Sequence, residues 1–195
     1  MIIRRAIFLV LLLLPLAACD NTRLVGTSDT NHIQYEKYGI TRLKVGEIKI
    51  VNYVPTYQAP NFEHRLIIPP YIALRDWARH RFEAIGNIGI ARIEILDASI
   101  VQKDKPVLND GIFGAEKSVN TEFDLRMRVR IQIDSPNYID LPYAETTVVR
   151  KIKYDEPSNF EDNRAMFEGI VVESLDTLDT AMTKTIHNKW GSIAE

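Results

Sequence analysis

From residue 122 to residue 133 the chain alternates without a slip. Phe123, Leu125, Met127, Val129, Ile131 and Ile133 are apolar, and Glu122, Asp124, Arg126, Arg128, Arg130 and Gln132 between them are polar or charged. Successive side chains of a strand point to opposite faces, so this pattern makes one dry face and one wet one. A strand of that kind belongs to an antiparallel sheet covered on a single side, because a parallel sheet covered on both sides reads as a continuous apolar run. The rest of the chain must supply the cover and the neighbouring strands.

Two segments have the helical period needed for a cover. Pro69-Pro70 opens the first, proline being well tolerated in a first helical turn. Leu74, Trp77, Ala78, Phe82 and Ile85 then fall on one face, and Gly86 closes the helix. The second opens on a capping box, Ser158-x-x-Glu161, and carries Phe167, Val171, Leu175, Leu178, Met182 and Ile186 as a continuous stripe to about Lys189. Its flank is rich in threonine (Thr177, Thr180, Thr183, Thr185), and Glu173, Asp176, Asp179 and Lys184 exclude a membrane span. A helix of ~30 residues is about 45 Å long, so it is expected to overhang a small sheet.

Three more strands are read around these. The first covers residues 42–54, where the phase slips at Gly46 as at a β-bulge. A crossover loop follows, containing Pro55, Pro60, Pro69 and Pro70. The second strand covers 90–101, with Ala91, Ile93 and Ile95 on one face. A long loop is expected over 102–117, with turn chemistry at Asn109-Asp110-Gly111 and at Gly114, and Ile112 and Phe113 near its tip. After a hairpin loop that starts at Asp134, residues 143–154 return as the last strand. The order is β-α-β-β-β-α, which predicts an α+β, two-layer domain. Its mostly antiparallel four-stranded sheet carries both helices on one face. If the first two strands are parallel neighbours, their crossover is right-handed.

Upstream of this domain the chain reads as a targeting segment. Arg4 and Arg5 make a short positive region, residues 6–14 are apolar, and Pro15 bends the run well short of the ~20 residues a spanning helix needs. Leu16-Ala17-Ala18-Cys19 then resembles the lipobox of bacterial lipoproteins. The resemblance implies that residues 1–18 are a signal peptide and that the thiol of Cys19 takes a diacylglyceryl group. The mature N-terminus would then carry three acyl chains, and two or more chains give stable anchoring where one gives only marginal binding. Cys19 is the only cysteine, so no intramolecular disulfide is possible. Asp20 resembles an inner-membrane retention signal of enterobacteria, and the choice of membrane turns on how the organism reads it. Residues 19–41 are polar and mixed and read as a tether, leaving 42–195 as one envelope domain.

Composition excludes some functions and leaves others open. The whole chain has a formal charge of −2, and the part after residue 18 about −4, which argues against nucleic acid as an electrostatic partner. His32, His64, His80 and His187 lie in separate segments without metal-ligand spacing, and no glycine-rich phosphate loop appears, so neither a metal nor a cofactor is expected. Ser99 and Ser158 lack nucleophile context. Glu63-His64 is the one adjacent acid and imidazole, and in a proline-rich loop a structural hydrogen bond is the simpler use. No catalytic constellation results, and the expectation is a protein that is not an enzyme.

Two charged features remain. Arg81 falls on the apolar face of the first helix and needs an acidic partner, since an unpaired buried guanidinium costs several kcal/mol. Asp97 on the next strand is the candidate, in a structural ion pair. Arg126, Arg128 and Arg130 stand about 7 Å apart on one strand face. With Lys151 and Lys153 they suggest a site for anionic envelope lipid or lipopolysaccharide; the plain alternative is a solvated face neutralised by Glu122, Asp124 and Glu145.

Pro60-Asn61-Phe62-Glu63-His64, Pro69-Pro70, Trp77-Ala78 with Arg81, Gly86, and Ile95-Leu96-Asp97-Ala98-Ser99 together resemble an uncharacterised family of alphaproteobacterial lipoproteins. The resemblance implies no activity and carries no functional residue onto this chain. In architecture the order of elements is also similar to small envelope lipoproteins that serve membrane transport or outer-membrane assembly. The expected role is therefore a membrane-anchored accessory or scaffold that binds another envelope protein, with anionic-lipid binding as the alternative.

Overall fold

The alternating strand is the centre of the molecule. The computed structural model describes residues 33–55, 60–111, 114–138, 142–154, 164–191 and 193–194. Its elements in chain order are β1 (Thr41–Leu43), β2 (Glu47–Asn52), α1 (Pro70–Arg81), β3 (Phe82–Ala84), β4 (Ile90–Gly111), β5 (Gly114–Asp134), β6 (Tyr143–Tyr154) and α2 (Arg164–Lys189). The main sheet has the order β2-β4-β5-β6, with β2 parallel to β4 and the other pairs antiparallel. On β5, Leu125, Met127, Val129, Ile131 and Ile133 are fully buried, and Phe123 nearly so. Their dry face forms one core with Leu74, Trp77 and Ala78 of α1 and with the α2 stripe from Phe167 to Ile186. The fold is α+β, with a mostly antiparallel four-stranded sheet, as the alternation requires.

The first strand is two strands in two sheets. Leu43 and Val45 are fully buried, but β1 pairs with β3 in a separate two-stranded sheet, while β2 joins β4. Gly46 is the crossing point rather than a bulge. Its N–H donates to the Gly89 carbonyl at 3.0 Å, and a Cβ there would stand 3.0 Å from the Asn87 backbone.

The first helix is shorter than its apolar face suggests. It ends at Arg81, Phe82 turns extended (φ −126, ψ 136), and Ile85 is 43% exposed. The competing interaction is β1, whose backbone takes the continuing chain: Phe82 lies opposite Thr41, and the Ile85 and Gly86 N–H groups donate to Leu43 and Val45 carbonyls. Gly86 is therefore not a helix cap. It allows backbones to touch, since a Cβ there would lie 2.7 Å from the Lys44 carbonyl carbon and 2.8 Å from the Val45 nitrogen. Gly86→Ala is expected to cost about 1–3 kcal/mol, because backbone on both sides cannot yield. Gly169→Ala, inside α2 with open space around it, is expected to add about 0.5–1 kcal/mol. Urea unfolding of the two variants checks both; equal signs would contradict the packing described.

The segment 102–117 is not a loop. β4 and β5 stay paired from Ile90↔Asp134 to Gly111↔Gly114, with one irregularity between Ile95 and Asp97. That bulge is what moves the buried set from Ala91, Ile93 and Ile95 to Ala98 and Ile100. β2 pairs with β4 only as far as Ile95, and β6 with β5 only as far as Thr121, so the distal part of the hairpin is a two-stranded ribbon. Backbone pairing needs no alternating side chains, which is why the polar run between Gln102 and Thr121 gives no strand pattern. Ile112 and Phe113 lie outside the described residues.

The last helix is 26 residues long, about 39 Å. Over its described length it does not overhang: its stripe is buried from Phe167 to Ile186, and Trp190 and Ile193 beyond it are buried too. The sheet is longer than expected, because its central strands run to 22 and 21 residues. Ser158 and Glu161 lie outside the described residues.

The folded domain also begins before residue 42. Ile33 is buried, and Tyr35–Tyr38 forms a 3₁₀ turn against the helices. The Tyr35 ring stacks on His80 at 5.1 Å, and the Tyr38 hydroxyl donates to Asp176 at 2.6 Å. Burial pushes the Tyr35 phenol up to about 12; burial and the bond to Asp176 push that of Tyr38 higher still. Residues 33–41 thus belong to the folded domain. Among the described residues no helix is long and apolar enough to cross a membrane.

Candidate functional site

Leu16, Ala17, Ala18, Cys19 and Asp20 lie outside the described residues. The residues singled out within the domain fall in three places: a polar cluster between the helices, the outer face of the sheet, and a cleft under the crossover loop.

Arg81 does not pair with Asp97. The first lies on α1, in the layer above the sheet, whereas Asp97 follows the β4 bulge and faces the opposite side, where it accepts from the Ser99 hydroxyl at 2.7 Å. Arg81 instead donates from Nε to Asp179 of α2 at 2.8 Å, from Nη2 to the Thr183 hydroxyl at 2.9 Å, and from Nη1 to the Thr41 hydroxyl. Asp179 also accepts from the Trp77 indole N–H at 2.8 Å. The charge is fully used in holding β1, α1 and α2 together, which is the structural role foreseen with a different partner. The helical period of α2 places Asp179 one position from Leu178 of the apolar stripe, and that was the available signal.

The basic face is an ion-pair lattice. Arg128 and Arg130 both reach Glu145, at 2.5 and 2.8 Å, and Arg130 also lies 3.7 Å from Glu94. Arg126 stands 4.0 Å from Asp97, Lys151 stands 4.0 Å from Glu122, and Lys103 bonds Asp124. Burial pulls the Glu145 carboxyl upward, but the hydrogen bonds from Arg130 and Arg128 outweigh it and hold it below the usual carboxylate range. The bond from Lys103 holds Asp124 low in the same way, against its burial. Paired arginines offer little net potential to a lipid phosphate, so the anion-binding reading of Arg126, Arg128 and Arg130 loses its basis. The acids that neutralise them sit directly across the strand pairs: Glu94↔Arg130 and Arg130↔Glu145.

Glu63 and His64 divide their roles. The Glu63 carboxylate is buried and accepts from the Ile100 N–H at 3.1 Å and from the Asn61 amide at 3.4 Å. It pins the crossover loop to β4 and supplies the backbone bond that the sheet lacks there. His64 is exposed on the rim of a cleft of about 420 Å³, lined also by Asn52, Val54, Pro69 and Tyr71. With its carboxylate already occupied, the pair does not form an acid–base couple. Among the described residues no group of three or more His, Cys, Asp or Glu side chains could hold a metal.

No family model matches the chain, and no curated protein matches it. Among solved structures it is similar to a minor lipoprotein from Acinetobacter baumannii, determined at 2.35 Å. The two are 15% identical, the match covers 73% of this chain and 93% of that one, and the TM-score is 0.33.

Proposed function

We propose that the protein is a lipid-anchored lipoprotein of the bacterial cell envelope, held through acyl chains on Cys19, and that it acts as a non-catalytic accessory or scaffold to another envelope protein. The observation that carries this reading is the order Arg4-Arg5, apolar residues 6–14 and Leu16-Ala17-Ala18-Cys19, with the only cysteine of the chain at the position where acylation consumes a thiol. The packing of Ile33 and Tyr35 supports it by shortening the leash. Ile33 is buried 14 residues after Cys19, a span that cannot exceed about 50 Å in any conformation, so an anchor at Cys19 would hold the domain near the bilayer. A sheet face whose arginines are absorbed in ion pairs suits a role in which location and shape matter more than reactivity.

Cells expressing the chain are grown with radioactive palmitate, beside the Cys19→Ala variant. Label is expected in the wild-type band and absent from the variant; equal label in both would sink the lipoprotein reading.

A further inference from the structure

The sheet ends on β6, and among the described residues no strand pairs with its outer edge. The Ile133 N–H donates to the Pro142 carbonyl at 2.9 Å, and the β5–β6 register continues from Gln132↔Tyr143 to Thr121↔Tyr154. In an antiparallel ladder alternate residues turn their backbone groups to the neighbour, so residues 144, 146, 148, 150 and 152 bond β5. Residues 145, 147, 149, 151 and 153 then turn theirs outward. Among the described residues no other element takes up those groups. The side chains of the same five positions lie on the outer face of the sheet, and Val149 in their middle is 42% exposed.

We infer that this edge joins a second copy of the chain, β6 against β6 about a two-fold axis at Val149, to make one continuous sheet. The register follows from charge. Centred on Val149, the pairing sets Val149 against Val149, Thr147 against Lys151, and Glu145 against Lys153, twice over. Centred on Lys151 it would oppose two lysines, and centred on Glu145 two glutamates. Centred on Thr147 it would leave Glu145 facing Val149. Centred on Val148 it would face Glu145 with Lys151 and Val149 with Thr147; of the registers that match unlike charges, only the Val149 one sets the two exposed apolar side chains against each other. Lys153 has no ion pair among the described residues, and Glu145, which already accepts from Arg128 and Arg130, would share its carboxylate with it across the edge.

The helix layer fits the same axis. α2 runs antiparallel to β6, with Arg150 donating to Thr177 at 2.8 Å and the Thr146 hydroxyl 4.0 Å from the Met182 sulfur. The level of Val149 therefore falls near the middle of α2. Asp176, Asp179 and Thr183 face the first helix and its turn, so Glu173, Thr177, Ala181 and Lys184, spaced by helical turns, lie on the flank toward the sheet edge. α2 packs chiefly on β6 and also on β5, so two copies joined at this edge would lie side by side, and a position between the two strands gives the roughly 8–10 Å of packed helices. Antiparallel about that level, Thr177 of one helix meets Ala181 of the other, and Glu173 comes beside Lys184. Ala181 is small and Thr177 carries only the Arg150 guanidinium, and the charges of Glu173 and Lys184, unpaired among the described residues, complement each other. A two-fold axis through the sheet keeps both helix layers, and the Tyr35–Tyr38 turns upon them, on one side of the dimer.

The test is disulfide trapping of the full chain in its native membrane. Facing residues of a hydrogen-bonded pair have Cα atoms about 5.5 Å apart, within disulfide reach, whereas the two Thr147 positions would be roughly 14 Å apart. Under mild oxidation Val149→Cys is expected to give a covalent homodimer, on the order of tenfold above Thr147→Cys and above the wild-type chain with Cys19 alone. In the Val149→Cys background, Glu173→Lys or Lys184→Glu singly should lower the trapped fraction several-fold, and the two together should restore it. The proposal is overturned if Val149→Cys crosslinks no better than Thr147→Cys or joins a different protein. It is equally overturned if the paired charge reversal fails to recover what the single changes lose. The Thr147→Cys control also reads any crosslink made through a Cys19 thiol left free, so the comparison holds whether or not Cys19 is acylated.

Discussion

Replacing Asp179 with alanine is expected to cost about 3–5 kcal/mol of folding stability, because it strands a buried charge instead of merely removing a contact. Asp179 accepts two hydrogen bonds at 2.8 Å, from the Arg81 guanidinium and the Trp77 indole. The Arg81 side chain is only 8% exposed and cannot turn to water without unpacking the helices. Thr41 and Thr183 would remain as neutral acceptors, which lowers the penalty but does not cancel a charge. Against a typical total of roughly 5–15 kcal/mol, such a loss leaves the fold marginal. Arg81→Met combined with Asp179→Leu is expected to be much milder, since replacing both members of a buried pair removes the stranded charge. Urea unfolding followed by tryptophan fluorescence measures both. An Asp179→Ala protein as stable as the double variant would show that the pair carries no such penalty.

Phe167→Ala is expected to have a comparable effect, about 3–5 kcal/mol, through a cavity at the centre of the core. Phe167 is fully buried and meets Phe123 edge-on at 4.8 Å, and Phe123 in turn meets Phe62 edge-on at 5.5 Å. The three rings run from α2 across the core face of the sheet to the crossover loop, so the loss should also loosen the loop where the Phe62 N–H bonds the Ile100 carbonyl. The neighbouring Met166 is 38% exposed, and Met166→Ala should stay within about 0.5 kcal/mol of wild type. Thermal unfolding of the pair reads the contrast. Faster hydrogen exchange at Phe62 and Gln102 in the Phe167→Ala protein, both of whose amides bond across the loop, would report the loosening.

The chain's own pattern made much of this fold legible. The six apolar residues from Phe123 to Ile133 and the six of the α2 stripe are all buried, and they alone require a sheet with a helix laid on one face. The resemblance of Leu16-Ala17-Ala18-Cys19 to a lipobox also rests on four consecutive residues, and the targeting expectation drawn from it needs no fold at all. These features are local: their period or spacing is carried by neighbours along the chain. The candidate sites were less legible. Three arginines on a strand look like a basic surface until Glu94 and Glu145 are placed on the strands beside them, and Glu63 beside His64 looks like an acid–base couple until Ile100 occupies it.

What only the tertiary structure decided is which distant groups compete for a given partner. Arg81 had an acid 16 positions away in Asp97 and chose one 98 positions away, because Asp179 arrives on its own layer while Asp97 points to the other face of the sheet. Phe82 continues a helical face in sequence, yet β1 offers its backbone hydrogen bonds that end the helix. The run from Gln102 to Thr121 has no strand pattern, and it becomes a ribbon because each arm supplies the other's backbone partners. Side-chain periodicity specifies a face within an element; ion pairs and strand pairing are set by which elements meet, and that is a property of the folded chain.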